Sequence, residues 1–370
     1  MRQWIIYFLF AFASAAFAED EQTYNKLTLD QAIINVLENN PLLKAADYEA
    51  KAAAARIRSA QLTPAFHASI GFENFSNSDR DIGNDNLEST LRLSKILELG
   101  DKTTLRGKLV QNKAILLHTD QDAKRLDLLA ETAKRFIQVI TNQEQIIISK
   151  DSLDLAKHTK KIIGQRVKAG KSPNAELRRA KIALARKELE LEHTKHELLT
   201  SRLKLATLWG KTQPRFSTAE ANLFEIKPII PFETLVQLLE RNPELIRYAT
   251  EKRLAETRIQ LARSKRQPDI EISGGVRHFK TTDDTGLVLS LRVPLGSSSR
   301  SAPHVEEAEM LNLRDPHIYE QRRLNLHATL FEVHQEIKHA IDAVKILRET
   351  IIPQAKHALK DYEKEGYAVE

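Results

Sequence analysis

The 370-residue sequence predicts a mainly helical fold with a small β part, in which long antiparallel coiled-coil hairpins carry two β-hairpins. Three observations predict it. Glycine and proline number only 12 each while charged residues reach 29%, a composition of long solvated helices rather than compact globules. Apolar residues recur in alternating steps of four and three over spans longer than any ordinary globular helix. One order of elements, helix, strand pair, long helix, also occurs twice, about 200 residues apart.

Residues 1–18 carry Arg2, an apolar run from Trp4 to Phe12 and small residues ending in Ala16-Phe17-Ala18, ahead of Glu19-Asp20-Glu21. This is the pattern of a secretory signal peptide with an A-x-A cleavage site. The run is too short for a transmembrane helix, and no later stretch offers the roughly 18 consecutive apolar residues that one needs. There is no cysteine. That excludes disulfides, thiolate metal sites, cysteine nucleophiles and the cysteine of a lipoprotein anchor. Basic residues are scattered along helices among Glu and Asp, so the net charge of +6 reads as a wet helical surface ahead of nucleic-acid or anionic-lipid binding.

The duplication is explicit. Leu37-Glu38-Asn39-Asn40-Pro41 recurs as Leu239-Glu240-Arg241-Asn242-Pro243, and Arg56-Ile57 as Arg258-Ile259. Pro64 to Phe75 matches Pro268 to Phe279, and Leu91-Arg92-Leu93 matches Leu291-Arg292-Val293. The first repeat is placed at residues 19–212, a linker at 213–231 and the second repeat at 232–370. Each opens with a helix, Leu29 to Gln61 and Phe232 to Lys265, stopped by a proline whose ring removes a donor and clashes with the preceding turn.

Strand pairs follow within 64–96 and 268–295. They are Ala65 to Phe75 with Leu87 to Ile96, and Asp269 to Phe279 with Gly286 to Leu295, joined by the polar loops Ser76 to Asn86 and Lys280 to Thr285. Phe66, Ala68, Ile70 and Phe72 alternate with His67, Ser69, Gly71 and Glu73; Leu287, Leu289, Leu291 and Val293 alternate with Val288, Ser290 and Arg292. A period of two with one apolar and one mixed face fits a membrane barrel ahead of an ordinary hairpin packed on helices. Gly274-Gly275 inside a strand points to close backbone approach or a barrel bend.

From Leu105 the four-three ladder runs through Leu109, Asn112, Leu116, Thr119, Ala123, Leu126, Ala130, Ala133, Ile137, Ile140, Glu144 and Ile147. A single helix from Asp101 to Val167 would span about 100 Å. Gly170 then supplies a helix C-cap, Ser172 an N-cap and Pro173 a compatible first residue for the return helix. Its ladder is Leu177, Ala180, Leu184, Lys187, Leu191, Thr194, Leu198, Ser201, Leu205 and Leu208, completing a helical hairpin at 101–210. In the second copy the ladder runs from Leu326 through Leu330, Val333, Ile337, Ala340, Val344, Leu347 and Ile351 to Ala358, with a kink expected at Pro353.

Several of these stretches resemble one family. Leu91-Arg92-Leu93-Ser94 with Leu97-Glu98-Leu99-Gly100-Asp101-Lys102 is similar to the strand-to-helix passage of the TolC-like outer-membrane efflux channels. Arg166-Val167-Lys168-Ala169-Gly170-Lys171-Ser172-Pro173 with Glu176-Leu177 is similar to their first hairpin tip. The Ser-Pro form of that tip, Leu205-Ala206-Thr207-Leu208-Trp209-Gly210 and Ile351-Ile352-Pro353-Gln354-Ala355 resemble the heavy-metal cation efflux branch. The likeness extends from about Leu27 to the last residue.

The resemblance implies a homotrimer in the Gram-negative outer membrane, each subunit giving four strands to a twelve-stranded barrel in lipid and its helices to a periplasmic tunnel. It implies a passive duct docked through its hairpin tips onto a periplasmic adaptor, a membrane fusion protein, with an inner-membrane RND pump supplying energy. The docking residues it points to are Arg166, Gly170, Ser172 and Pro173 at the first tip, and Tyr362 and Gly366 at the second. Tyr362 to Tyr367 aligns with that second tip, so the ladder from Leu326 is expected to lack the antiparallel mate the family provides. Two other readings are a periplasmic coiled-coil scaffold or adaptor without a pore, and a truncated, non-functional remnant. An adaptor would flank its helical hairpin with small all-β halves rather than repeat a strand pair.

No phosphate-binding loop, H-E-x-x-H zinc helix or G-x-S-x-G elbow occurs, so no enzyme, no cofactor and no nucleic-acid partner is expected. His193 and His196 share a helix face without a second cluster nearby, and read as surface histidines rather than a metal site.

Overall fold

The structure is a computed structural model that describes residues 26–74 and 87–364. The signal peptide, the loop at 76–86 and Gly366 lie outside the described residues. In order the elements are β1 (Lys26–Leu27), α1 (Leu29–Asn39), α2 (Pro41–Ala60), β2 (Phe66–Glu73), β3 (Glu88–Leu97), α3 (Lys102–Lys168), α4 (Asn174–Ala206), a 3-10 turn (Thr207–Trp209) and β4 (Thr218–Ala219). Then come α5 (Phe232–Leu239), α6 (Pro243–Ser264), β5 (Ile270–Phe279), β6 (Asp284–Arg292), α7 (Ser297–Ile346), a π-helical turn (Leu347–Ile351) and α8 (Ile352–Lys364). Packing divides the chain into two compact units: the residues up to Pro41 with Leu129–Phe224, and Leu42–Leu128 with Glu225 onward.

The opening helix of each repeat, read as continuous, is two helices. Both break at an Asn-Pro step, because the proline ring forces the residue before it into extended backbone. Asn40 has ψ 124° and Asn242 ψ 131°. Asn242 then caps α6 by accepting from the Glu244 amide at 2.9 Å, with Pro243 in the first turn where its missing N–H costs nothing. The Asn40 amide instead donates to the Leu208 carbonyl at 2.6 Å. Thr28 and Gln31 close a capping box on α1.

In the first unit β1 and β4 pair in parallel, and Gln143 of α3 grips Ala219, donating to its carbonyl at 2.9 Å and accepting from its amide at 2.7 Å. The α4 ladder faces inward as expected: Ala180, Leu184, Leu191, Thr194, Ser201 and Leu205 are buried. The α3 ladder does so only in part. Ile140 is buried, but Ile137 and Ile147 are exposed, and the rest of the buried line is Thr132, Phe136, Val139, Asn142 and Ser149. Asn142 in this seam donates to Ser201 at 3.1 Å and to the Glu197 carbonyl at 3.2 Å. Small polar residues there let the helices approach, and the larger aliphatic residues are left to a second stripe.

In the second unit α6 packs along α7, and ions tie three helices: Arg247 meets Asp120 at 3.2 Å and Glu251 at 3.0 Å, while Arg322 meets Glu251 at 2.8 Å. Phe232 of α5 meets Phe331 and His334 of α7 edge-on. The expected disturbance at Pro353 is the π-helical turn just before it, which absorbs the lost donor without ending the helix. Val333, Ile337, Val344, Leu347 and Ile351 of the ladder from Leu326 are exposed.

Candidate functional site

The two strand pairs form one four-stranded antiparallel sheet in the order β2-β3-β5-β6. The pairing register sorts every residue onto one of two faces. One face has the rows Phe66-Lys95-Ile272-Leu291, Ala68-Leu93-Gly274-Leu289 and Ile70-Leu91-Val276-Leu287, closed by Phe72-Ser89-His278-Thr285. The opposite face has His67-Ser94-Ser273-Ser290, Ser69-Arg92-Gly275-Val288, Gly71-Thr90-Arg277-Gly286 and Glu73-Glu88-Phe279-Asp284. The first face is apolar over its two inner rows, with a phenylalanine in each end row, beside Lys95 in one and Ser89, His278 and Thr285 in the other. The second is polar and charged. Its ions are paired in part: Arg277 reaches Glu88 at 2.7 Å and Glu73 at 3.2 Å, and Arg292 reaches Glu271 at 3.0 Å.

The apolar face is bare: Leu287 is 86% and Leu289 85% exposed. Among the described residues β2 and β6 have no outer strand neighbour. The two adjacent glycines differ. A Cβ on Gly275 would lie 2.4 Å from the Leu91 carbonyl oxygen, whereas one on Gly274 would rest at an ordinary 3.5 Å from Leu289. Of the two readings of this pair, close backbone approach holds for Gly275.

Charged side chains fasten the root of the sheet to the helices. Lys102, nearly buried, donates to Asp269 at 2.6 Å and to the Gln267 carbonyl at 2.7 Å, so the start of α3 is held to the turn before β5. Arg106 grips both carboxylate oxygens of Glu98, and Thr103 donates to Glu98 at 2.7 Å. The Arg106 hydrogen bonds hold the Glu98 carboxyl below the ordinary carboxylate range, outweighing the opposing effect of its partial burial. A depressed carboxylate stabilises the fold above its unfolded value of about 4.3, and that contribution is lost as pH falls through the lower folded value. The difference in thermal midpoint between the protein and Glu98→Gln is therefore expected to shrink as pH is lowered from about 5 to about 3, measured by circular dichroism in detergent. A constant difference would mean that the ion pair adds no pH-dependent stability.

The hairpin tip is a Schellman turn. Gly170, at φ +69°, donates to the Val167 carbonyl at 3.1 Å, and Lys171 to that of Arg166 at 2.8 Å. Ser172 does not cap the return helix as expected. Pro173 occupies the cap position with ψ 150° and α4 starts at Asn174, while the Ser172 hydroxyl accepts from Arg166 Nε at 3.3 Å. Arg166, Gly170, Ser172 and Pro173 are thus one local structure. Tyr362 lies in α8, away in sequence from all four, and its side chain is outside the described part. The strand-to-helix motif includes Lys102, but a reading of motifs alone missed its role at the root, and missed Arg106 altogether. Their signal was a lysine and an arginine four residues apart at a helix start, where acidic residues are usual. Among the described residues no group of three or more His, Cys, Asp or Glu could hold a metal, and no helix is long and apolar enough to cross a membrane.

The chain is 24% identical over 332 residues to the cobalt-zinc-cadmium resistance protein CzcC of Cupriavidus metallidurans, covering 90% of this chain and 78% of that one. It is 28% identical over 251 residues to the pyoverdine export outer membrane protein OpmQ of Pseudomonas aeruginosa, covering 61% of this chain and 52% of the relative. Two solved structures share its fold. CusC superposes with a TM-score of 0.70 at 15% identity, over 94% of this chain and 85% of its own. The CmeC outer membrane channel of Campylobacter jejuni gives 0.66 at 17%, over 92% and 76%. Residues 32–211 match the model of the outer membrane efflux protein family. With a two-faced strand sheet on long helical hairpins, that match and these likenesses identify residues 32–211 as an outer membrane efflux protein domain, in a chain with the fold of the solved outer membrane channels.

Proposed function

We propose that the chain is the outer-membrane duct of a tripartite efflux system, a passive channel that exports heavy-metal cations. The observation that carries the duct is the sheet. Four strands with one apolar face, one charged face and two open edges cannot close alone, and a lipid-facing barrel leaves no edge unpaired. Three copies supply twelve strands, with the apolar rows in lipid and the charged rows around water. A second apolar stripe supports the same assembly: Ile182, Leu189 and Leu203 on α4, with His196 between, and Ile148 and Leu155 on α3, lie seven residues apart and exposed outside the hairpin's own seam. Such a heptad line suits packing against a neighbouring helix. The two sequence repeats, 19–212 and 232–370, are then the two hairpin-bearing halves of one wall.

The metal assignment rests on CzcC, whose likeness spans more of the chain than that of OpmQ. The chain is a channel part with no reaction to catalyse. Its partners are two more copies, outer-membrane lipid, a periplasmic adaptor and an inner-membrane RND pump. The adaptor docks at the tips, through Arg166, Gly170, Ser172 and Pro173 in the first and Tyr362 and Gly366 in the second. Disrupting the gene in its own bacterium should raise sensitivity to cobalt, zinc or cadmium, and the plasmid-borne gene should restore growth. Unchanged tolerance to all three would remove the metal assignment.

The tip has its own test. Gly170→Val places a β-branched residue in a left-handed conformation at a cost of about 1–2 kcal/mol, confined to the turn. The variant is expected to reach the outer membrane and assemble normally while losing adaptor cross-linking and metal resistance together. Full cross-linking would show that the adaptor docks elsewhere.

A further inference from the structure

The charged face of the sheet is uneven along its length. At one end Glu73, Glu88 and Asp284 share a row, and Arg277 beside them is spent on Glu88, Glu73 and Thr90. Toward the root Arg292 is paired with Glu271. Between these lies Arg92, in a row with Ser69, Gly275 and Val288. Neither this row nor the flanking polar rows, His67-Ser94-Ser273-Ser290 and Gly71-Thr90-Arg277-Gly286, contains a carboxylate. Among the described residues Arg92 forms no ion pair, and its Nε is covered without a hydrogen-bond partner. The two glycines around it, Gly275 beside it and Gly71 one row on, carry no side chain over it, and a Cβ on Gly71 would meet nothing within 4 Å. Arg92 is therefore an uncompensated positive charge in an open, hydroxyl-lined stretch of wall.

We infer that Arg92 biases the duct toward anions at its own level of the wall. Repeated in each copy, it forms a cationic girdle partway through the barrel that favours small anions and retards bare cations. A metal ion then passes this level most readily with its charge masked by counter-ions or an anionic ligand. The inference rests on the trimeric duct proposed above. It names a selectivity residue that the acidic row beyond it would otherwise hide.

The test is the reversal potential of the purified full-length protein in planar bilayers under a potassium chloride gradient. It is read near 0.01 M, where the Debye length is about 30 Å and a wall charge is felt across a wide lumen. The wild-type chloride-to-potassium permeability ratio is the reference. Arg92→Gln should lower the chloride-to-potassium permeability ratio by about two- to threefold, as expected for removing one wall charge per copy. Arg92→Lys should keep the wild-type value, and the gap between wild type and Arg92→Gln should close near 1 M salt, where the Debye length is about 3 Å. Native mass measurement of each variant confirms equal assembly. Arg92→Gln channels that conduct with the wild-type reversal potential overturn the inference and leave the duct standing. Wild-type protein that does not conduct overturns the duct reading itself.

Discussion

Replacing Leu289 with lysine is expected to keep the protein out of the outer membrane. Leu289 sits in an inner apolar row with Ala68, Leu93 and Gly274, and is 85% exposed in the single chain. A lysine on the lipid face near the bilayer midplane costs about 2–4 kcal/mol, and three-fold assembly repeats that penalty in each copy. The paired control is Ser290→Lys, one residue along the same strand on the charged face, where the new ammonium meets water. Membrane fractionation with urea extraction should find Leu289→Lys depleted from the outer membrane and Ser290→Lys at the wild-type level. Equal loss in both variants, or in neither, would mean that the two faces of the sheet do not divide lipid from water.

The second large effect separates two neighbouring glycines. Gly275→Ala sets a methyl group 2.4 Å from the Leu91 carbonyl oxygen and 3.0 Å from Arg92 Cα. Both are backbone atoms, so β3 and β5, the two strands that join the repeats, must move apart. Overpacking of this kind falls at the upper end of its usual range, about 3 kcal/mol. Gly274→Ala meets only the flexible end of Leu289 at 3.5 Å and should stay within about 0.5 kcal/mol. Thermal unfolding of the detergent-extracted protein measures both. A similar loss in the two variants would place the constraint in glycine's backbone freedom rather than in the close approach.

The same glycine pair shows how far the sequence could be read. Two glycines inside an alternating run announce something special about the strand, but only the register tells which of them lies against the neighbouring backbone. The strands themselves were legible, because a period of two with one apolar face survives without knowing the partner. The α4 ladder was equally plain. The α3 ladder was legible only in part. It shares Ile140 with the buried side, but that side is otherwise built from Thr132, Phe136, Val139, Asn142 and Ser149, while Leu126, Ile137 and Ile147 of the ladder are exposed. Ranking stripes by hydrophobicity assumes a helix with one partner. A wall helix has more than one, and its own hairpin claims the small polar side.

At the tip, the turn through Gly170 followed from residue type, since the left-handed cap asks for glycine. The role of Ser172 did not, because a serine before proline can cap a helix or bond to its neighbour, and here Arg166 takes the hydroxyl. The root pairs Lys102 with Asp269 and Arg106 with Glu98 explain a second difficulty. Lys102 and Asp269 lie 167 residues apart, so nothing local in the chain links them.

The central claim is that open-edged sheets from three copies close into one barrel in the outer membrane. Its most direct measurement is the native mass of the full-length protein, extracted in mild detergent from purified outer membranes. The account predicts a complex of three chains, each close to 42.1 kDa before signal removal. A monodisperse single chain in the soluble periplasmic fraction would contradict it.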